Sequence, residues 1–129
     1  MKAKQSDSDT NIQELKDLVV KFREERDWNK HFTPKNVATS ISIEAAELLE
    51  LFQWDLLIKE DKKKMADELA DVLIFAFHFA TVCDIDISDS FKSKLNAAAK
   101  KYPTKIFNVS NDGFEEYHKA KAAYRKSKR

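Results

Sequence analysis

Residues 34–58 read PKNVATSISIEAAELLELFQWDLLI, and residues 61–83 read DKKKMADELADVLIFAFHFATVC. Laid out at about 100° per residue, the first run places Val37, Ile41, Ala45, Leu48, Leu49, Phe52 and Leu56 on one helical face. Ile43, Leu51, Trp54 and Ile58 form a second apolar face on roughly the opposite side. A helix that is apolar on two sides has to be enclosed by neighbours, so this segment reads as the centre of a helical bundle. Thr33-Pro34 starts it with a hydroxyl cap and proline at the first helical position, and the spacing carries it to about Ile58. Asp61 caps the next helix, which runs to about Cys83.

The flanks extend the same pattern. Thr10-Asn11-Ile12-Gln13 has capping-box spacing, and Ile12, Leu15, Leu18, Val19 and Phe22 predict a first helix to about Asp27. Trp28 to Phe32 is then an aromatic loop. Ser88 is the expected cap of a fourth helix with Phe91, Leu95, Ala98 and Tyr102 on one face, ended by Pro103. Residues 104–113 read as a loop and 114–126 as a charged helix, while residues 1–9 are polar and expected to be disordered. The domain expectation is one helical domain over 10–104, followed by a loop and charged helical tail over 105–129.

Composition supports an all-α, four-helix-bundle-type fold. The 129 residues include 1 Gly, where average usage of about 7% would give roughly nine. That excludes a Walker P-loop and a G-x-G-x-x-G turn, and it removes the usual residue of tight hairpins. With 23 basic and 22 acidic residues the chain is close to neutral, which argues against a dedicated nucleic-acid binder. Cys83 is the only cysteine, so there is neither a disulfide framework nor a thiolate zinc site. No secretory apolar segment is visible, and the run from Leu69 to Val82 is too short and too polar to span a membrane. A cytoplasmic protein is expected.

The chemistry lies in carboxylates placed among apolar groups. Glu44 and Glu47 are i,i+3 on the two-sided helix, with Glu50 one turn on; Glu68 and Asp71 are i,i+3 at the head of the next apolar run. Twenty residues separate Glu47 from Glu68, and two helices joined by a short turn lie antiparallel, so the four acids can converge. Like charges that close repel, and more strongly when desolvated. Hard oxygen ligands of this kind select Mg²⁺ or Mn²⁺.

The words FREERDWNKHFTPKNVATSISIEAAELLELFQW (22–54), DELADVLIF (67–75) and KLNAAAKKYP (94–103), in that order, resemble the MazG-like all-α nucleoside triphosphate pyrophosphohydrolases, and among them the dCTP pyrophosphatase subgroup. The resemblance spans residues from about 10 to 104. It implies hydrolysis of a (d)NTP to the monophosphate and diphosphate, with dCTP or modified pyrimidine deoxynucleotides as substrates in nucleotide-pool house-cleaning. It also implies Mg²⁺ on Glu44, Glu47, Glu68 and Asp71, and a homodimer or homotetramer. Glu47 or Glu50 would orient or deprotonate the attacking water. Trp28, His31, Asn36, Trp54, Phe75, Lys94, Lys101 and Tyr102 would bind the substrate, the aromatics at the base and the lysines and Tyr102 at the phosphates. Three departures weaken strict dCTP preference: Phe75 stands where relatives commonly have Tyr, His31-Phe32 reverses their Phe-His order, and Ala98 replaces an Asn.

Other constellations are weaker. Glu115-x-x-His118 has di-iron spacing, but a ferritin-like site needs two such pairs. His78 reads as a hydrogen-bonded core histidine and Cys83 as a buried small hydrophobe. From Lys119 onward the tail carries six basic and no acidic residues, and reads as a solvated face. A non-catalytic helical nucleotide-binding or interaction module is the alternative from another class; it would bind nucleotide without turnover.

Overall fold

The computed structural model describes residues 5–54, 61–107 and 114–128, and their regular structure is entirely helical. The elements are α1 (Ile12–Glu24), a single 3₁₀ turn (Asn29–His31), α2 (Pro34–Glu50), α3 (Lys62–Val82), α4 (Ile87–Lys101), α5 (Thr104–Phe107) and α6 (Phe114–Ser127). None of the helices among the described residues is long and apolar enough to cross a membrane.

Local chemistry sets the boundaries. α1 is capped one residue later than the Thr10–Gln13 box predicts. Asn11 Oδ1 accepts from the Glu14 backbone N–H at 3.0 Å, the capping bond, and its side-chain Nδ2 donates to Glu14 Oε1 at 3.0 Å; asparagine is a stronger capping residue than threonine. α1 also stops short of Asp27. The Trp28 N–H donates to Arg23 O at 2.9 Å and the Asp27 N–H to Glu24 O at 3.0 Å, with Asp27 at φ 53°: a Schellman closure. Asp84, at φ 52°, plays the same part after α3, where the Ile85 N–H donates to Ala80 O at 2.8 Å. Aspartate thus fills the two left-handed non-glycine positions among the described residues, in a chain with one glycine.

Thr33 caps α2 as the sequence predicts, its hydroxyl accepting from the Asn36 N–H at 3.3 Å, and Asp61 caps α3. α2 ends at Glu50, earlier than the expected Ile58. Three-residue bonds from the Phe52 N–H to Leu49 O and the Gln53 N–H to Glu50 O tighten the chain into a turn over residues 51–54. Leu51 and Trp54 therefore lie past the helix, and Leu56 and Ile58 fall outside the described residues. α4 begins at Ile87, so Ser88 sits in its first turn and is not its cap. Part of the loop expected over 104–113 is the short α5, and residues 108–113 are outside the described set. At the N-terminus Ser6 to Asp9 form a turn, closed by the Asp9 N–H to Ser6 O at 3.0 Å, where disorder is the sequence expectation.

Two compact units result, one reaching Asp86 and one starting at Ile87. In the first, α1 and α2 both pack on α3, and Lys16 Nζ of α1 donates to Ile85 O at 2.6 Å. Its fully buried apolar residues are few among those described: Val19, Val37 and Ala80, joined by the polar Arg23 and His78. α2 is not enclosed on both sides in this unit: Ile43 of its second apolar face is 53% exposed, and Leu49 at the margin of its first is 70% exposed. In the second unit Tyr102 stacks on Tyr117 at 5.2 Å and meets the edge of Phe107 at 5.5 Å, and Lys94 Nζ donates to Tyr124 Oη at 3.3 Å.

Candidate functional site

Each of Glu44 on α2 and Glu68 and Asp71 on α3 brings one carboxylate oxygen to within 4.8 Å of the other two. All three side chains are half-buried. The i,i+3 spacing of Glu68 and Asp71 stacks them on one face of α3, and packing of α2 on α3 presents Glu44 to that face. Glu44 Oε2 and Glu68 Oε2 are buried and have no hydrogen-bond partner. A buried polar oxygen left in that state is costly unless something positive completes it.

The electrostatics follow from this crowding. Burial, then the hydrogen bond and charge of Glu47, then the charges of Asp71 and Glu68 push the Glu44 carboxyl above its ordinary range. Burial and then the charges of Glu47, Asp71, Asp67 and Glu50 do the same to Glu68. Asp67 itself is held by Lys63 at 2.7 Å on the exposed side of α3. Glu47 is thus beside Glu44 but outside the three-oxygen cluster; it is exposed, and with Glu50, Ile43 and Phe52 it lines an open cavity of about 740 Å³.

An aromatic series runs beside the acids. Phe75 lies one turn beyond Asp71 on α3. Its ring centroid is 6.4 Å from Phe32, which stacks on Trp28 at 6.2 Å; Trp28 meets the edge of Phe22 at 5.8 Å. Phe32 also packs edge-on against His78 at 4.7 Å. Trp28 is 41% exposed, so one part of this wall is open to a ligand. Trp54 is outside the series and stands 88% exposed on the turn after α2.

The remaining sequence-predicted residues divide between the two units. His31 is exposed in the 3₁₀ turn, and Asn36 Nδ2 donates to His31 O at 3.0 Å, which holds the turn to the start of α2. Lys94, Lys101 and Tyr102 belong to the second unit, where the Lys101 ammonium lies 4.1 Å from the Tyr124 ring centroid and 5.0 Å from that of Tyr102. Glu115 pairs with Lys119 at 2.9 Å and the His118 ring packs on Phe114, so the E-x-x-H spacing in the tail forms no ligand pair. Cys83 is half-buried, short of the full burial expected from its sequence context.

Sequence reasoning missed Arg23. It is 7% exposed, and its guanidinium reaches Asn29, His78 and Thr81. The available signal was its position: Arg23 continues the Leu15–Val19 stripe of α1 toward the core, facing a histidine in the apolar run of α3.

The donor set of Glu44, Glu68 and Asp71, all oxygen and with two buried atoms lacking partners, fits a hard divalent cation such as Mg²⁺ or Mn²⁺.

Comparison with known proteins gives a consistent picture. The profile of the MazG-like family matches residues 39–115. The dCTP pyrophosphatase 1 of Homo sapiens is 27% identical over 113 residues, covering 81% of this chain and 66% of that protein. The dCTP pyrophosphatase 1 of Mus musculus is 28% identical over 103 residues, 74% of this chain and 61% of its own length. This chain therefore spans just under two thirds of the curated relatives it matches. The crystal structure of a pyrophosphatase from Archaeoglobus fulgidus superposes with a TM-score of 0.67 at 38% identity, covering 79% of this chain and 99% of that one.

Proposed function

Because the chain belongs to the MazG-like family, we propose that it is a metal-dependent nucleoside triphosphate pyrophosphohydrolase, converting a (d)NTP and water to the monophosphate and diphosphate. The observation that carries this reading is the cluster of Glu44, Glu68 and Asp71 with two buried, partnerless carboxylate oxygens. Such a site suits a cation, and a cation would let a triphosphate approach it.

Glu44, Glu68 and Asp71 would hold Mg²⁺ or Mn²⁺, with Glu47 alongside. Bound there, the ion supplies charge neutralisation and polarises the phosphoryl oxygens. Glu47 and Glu50 line the open cavity next to the cluster and are the bases placed to take the proton of the attacking water. Water adds at the α-phosphorus, the bond to the α,β-bridging oxygen breaks, and diphosphate leaves. Lys94 and Tyr102 are assigned to the phosphates on their match to family positions, and Lys101 is a further candidate cation for them. The base stacks on the wall of Trp28, Phe32 and Phe75, where the rings supply affinity for any flat heterocycle. The named relatives act on dCTP, and we assign dCTP or a modified pyrimidine deoxynucleotide to this site, with Phe75 in place of a tyrosine hydroxyl relaxing the preference.

Self-association is part of the proposal. α1 and α3 enclose an apolar groove of about 410 Å³ lined by Leu15, Leu18, Phe22, Leu73, Ile74 and Phe77, and α2 leaves Ile43 and Leu49 exposed. Apolar surface on that scale is covered in a stable soluble protein by a partner, here a second copy. A reducing compartment suits the single free thiol.

The test is a panel of the common (d)NTPs with Mg²⁺, read by product identity. Monophosphate with diphosphate is expected; release of orthophosphate, or undiminished turnover in Asp71→Asn, overturns the reading. Nucleotide-dependent stabilisation without turnover would identify a binding module instead.

A further inference from the structure

Arg23 and His78 are 7% and 2% exposed, the two buried polar side chains among the described residues. Arg23 Nε donates to Asn29 Oδ1 at 2.7 Å, and Nη1 donates to His78 Nδ1 at 3.1 Å and to Thr81 Oγ1 at 2.7 Å. A guanidinium only donates, so these contacts assign the other groups. His78 receives through an unprotonated Nδ1 and carries its proton on Nε2. The Thr81 hydroxyl sends its own proton to the carbonyls of Phe77 and His78, both at 3.0 Å, and accepts from Arg23 with a lone pair. Asn29 presents its carbonyl oxygen, not its amide.

A buried cation is therefore held by three neutral acceptors, two on α3 and one on the 3₁₀ turn. An apolar side chain of similar size would fill the same space at lower cost in desolvation, and a lysine could not bridge three acceptors in one plane. What the arginine provides is geometry. Asn29 opens the turn that immediately follows Trp28, and Phe32 closes it. Phe32 lies against both His78 and Phe75. The Schellman closure fixes only the start of this segment, through the Trp28 N–H to Arg23 O, and Thr33 fixes its end. Between them, the Arg23–Asn29 bond is the side-chain tie from the turn to the buried cluster.

We infer that Arg23, acting through Asn29 and anchored on His78 and Thr81, is the positioning residue for the nucleobase, holding the Trp28–Phe32–Phe75 wall in its stacking arrangement. This rests on the proposed function, since it takes that wall as the base site. It goes further in making base affinity depend on a residue that never touches the base.

The test uses Asn29→Ala, Asn29→Asp and Arg23→Gln in the full chain, with Asn29 chosen because it is exposed and its truncation removes little buried volume. Two quantities are read: kcat and KM for dCTP with Mg²⁺, and the calorimetric Kd of its α,β-methylene analogue. Asn29→Ala and Arg23→Gln should raise KM and Kd about tenfold or more, with kcat near the wild-type value. Asn29→Asp, which keeps an acceptor for Nε, should restore affinity. The Arg23→Gln/Asn29→Ala double variant should be no weaker than the worse single one, because both break one bridge. A folded Asn29→Ala with unchanged KM and Kd overturns the inference, as does loss of kcat at constant KM, or additive effects in the double variant. A wild type that binds the analogue but does not turn over dCTP refutes the hydrolase reading alone, and Kd then decides this one. A wild type that binds no nucleotide refutes both.

Discussion

Replacing Glu44 by Gln should stabilise the protein in chelator and destabilise it, relative to wild type, in magnesium. A Glu44 oxygen lies within 4.8 Å of one on Asp71. Two unit charges at that spacing repel by about 3.5 kcal/mol at an effective dielectric of 20, and by about 0.9 kcal/mol in water. Both groups are half-buried, so solvent screens much of this, and removing one charge should yield about 1 kcal/mol. The glutamine amide can also donate to a neighbouring carboxylate. With metal at a hundred times its dissociation constant the wild type gains about 2.7 kcal/mol, and the variant, short of one ligand, gains much less. The order of stabilities inverts. The pH dependence has a definite sign. Native Glu44 holds its proton above the ordinary 4.5, so the folded state binds more protons than the unfolded chain. Its contribution is present at low pH and is lost as pH rises through the raised folded value. The chelated wild type should therefore lose stability relative to Glu44→Gln as pH climbs upward from about 4.5. Urea unfolding with chelator and with Mg²⁺, across that range, measures both effects. A variant less stable than wild type in chelator, or equal metal shifts in the two proteins, refutes the reasoning.

Three further outcomes are expected. Trp54 is 88% exposed, so Trp54→Ala should change folding stability by less than about 0.5 kcal/mol, yet raise KM for dCTP by an amount equivalent to about 1–3 kcal/mol if it stacks on the base; unchanged KM removes it from the site. Asp84→Gly relieves a left-handed aspartate at a helix C-terminus and should add about 0.5–1 kcal/mol, seen as a melting point a few degrees higher; a lower melting point contradicts the Schellman account. Burial first, and Arg23's charge second, lower the His78 imidazole from 6.5 to about 4. On acidification the unfolded chain protonates first, so between those values the fold loses up to about 3 kcal/mol. His78→Asn, which keeps an acceptor for Arg23, should flatten that loss, and superimposable stability profiles would exclude His78 as its source.

The sequence carried the helices because their signals are local. Thr33-Pro34 and Asp61 act within one turn, and the caps they predict are the caps observed. Local signals still shift by a residue or two, as at Asn11 for Thr10 and at Ser88, and the larger failures occur where distant residues decide. α2 ends at Glu50 although the apolar spacing runs on, since periodicity reports which side chains want burial and not where the backbone turns. The convergence of Glu44, Glu68 and Asp71 was legible because acids at i,i+3 on apolar faces have few alternatives to facing one another. Arg23 was not: its partners lie 6, 55 and 58 residues away, and in sequence it is one more charge in a charged stretch.

A chain with one glycine has little means of wrapping backbone amides around a phosphate, and helices present only side chains to each other. On the proposed reading, anion binding is assembled from carboxylates and a cation, a demand that would account for the two buried, partnerless oxygens at the α2–α3 contact. The same helix that offers Glu44 to the cluster shows Ile43, its neighbour in sequence, to solvent. α2 therefore carries the site and the uncovered surface on adjacent residues. On that reading, a cation that fixes α2 at the cluster would lower the entropy lost when a second copy covers the exposed residues, so the two events would favour each other. The half-satisfied carboxylates and the half-covered helix would then, on the proposed reading, be two aspects of one condition: the isolated, metal-free protomer would be the least stable member of a linked set whose other members hold the cation, a second copy, or both.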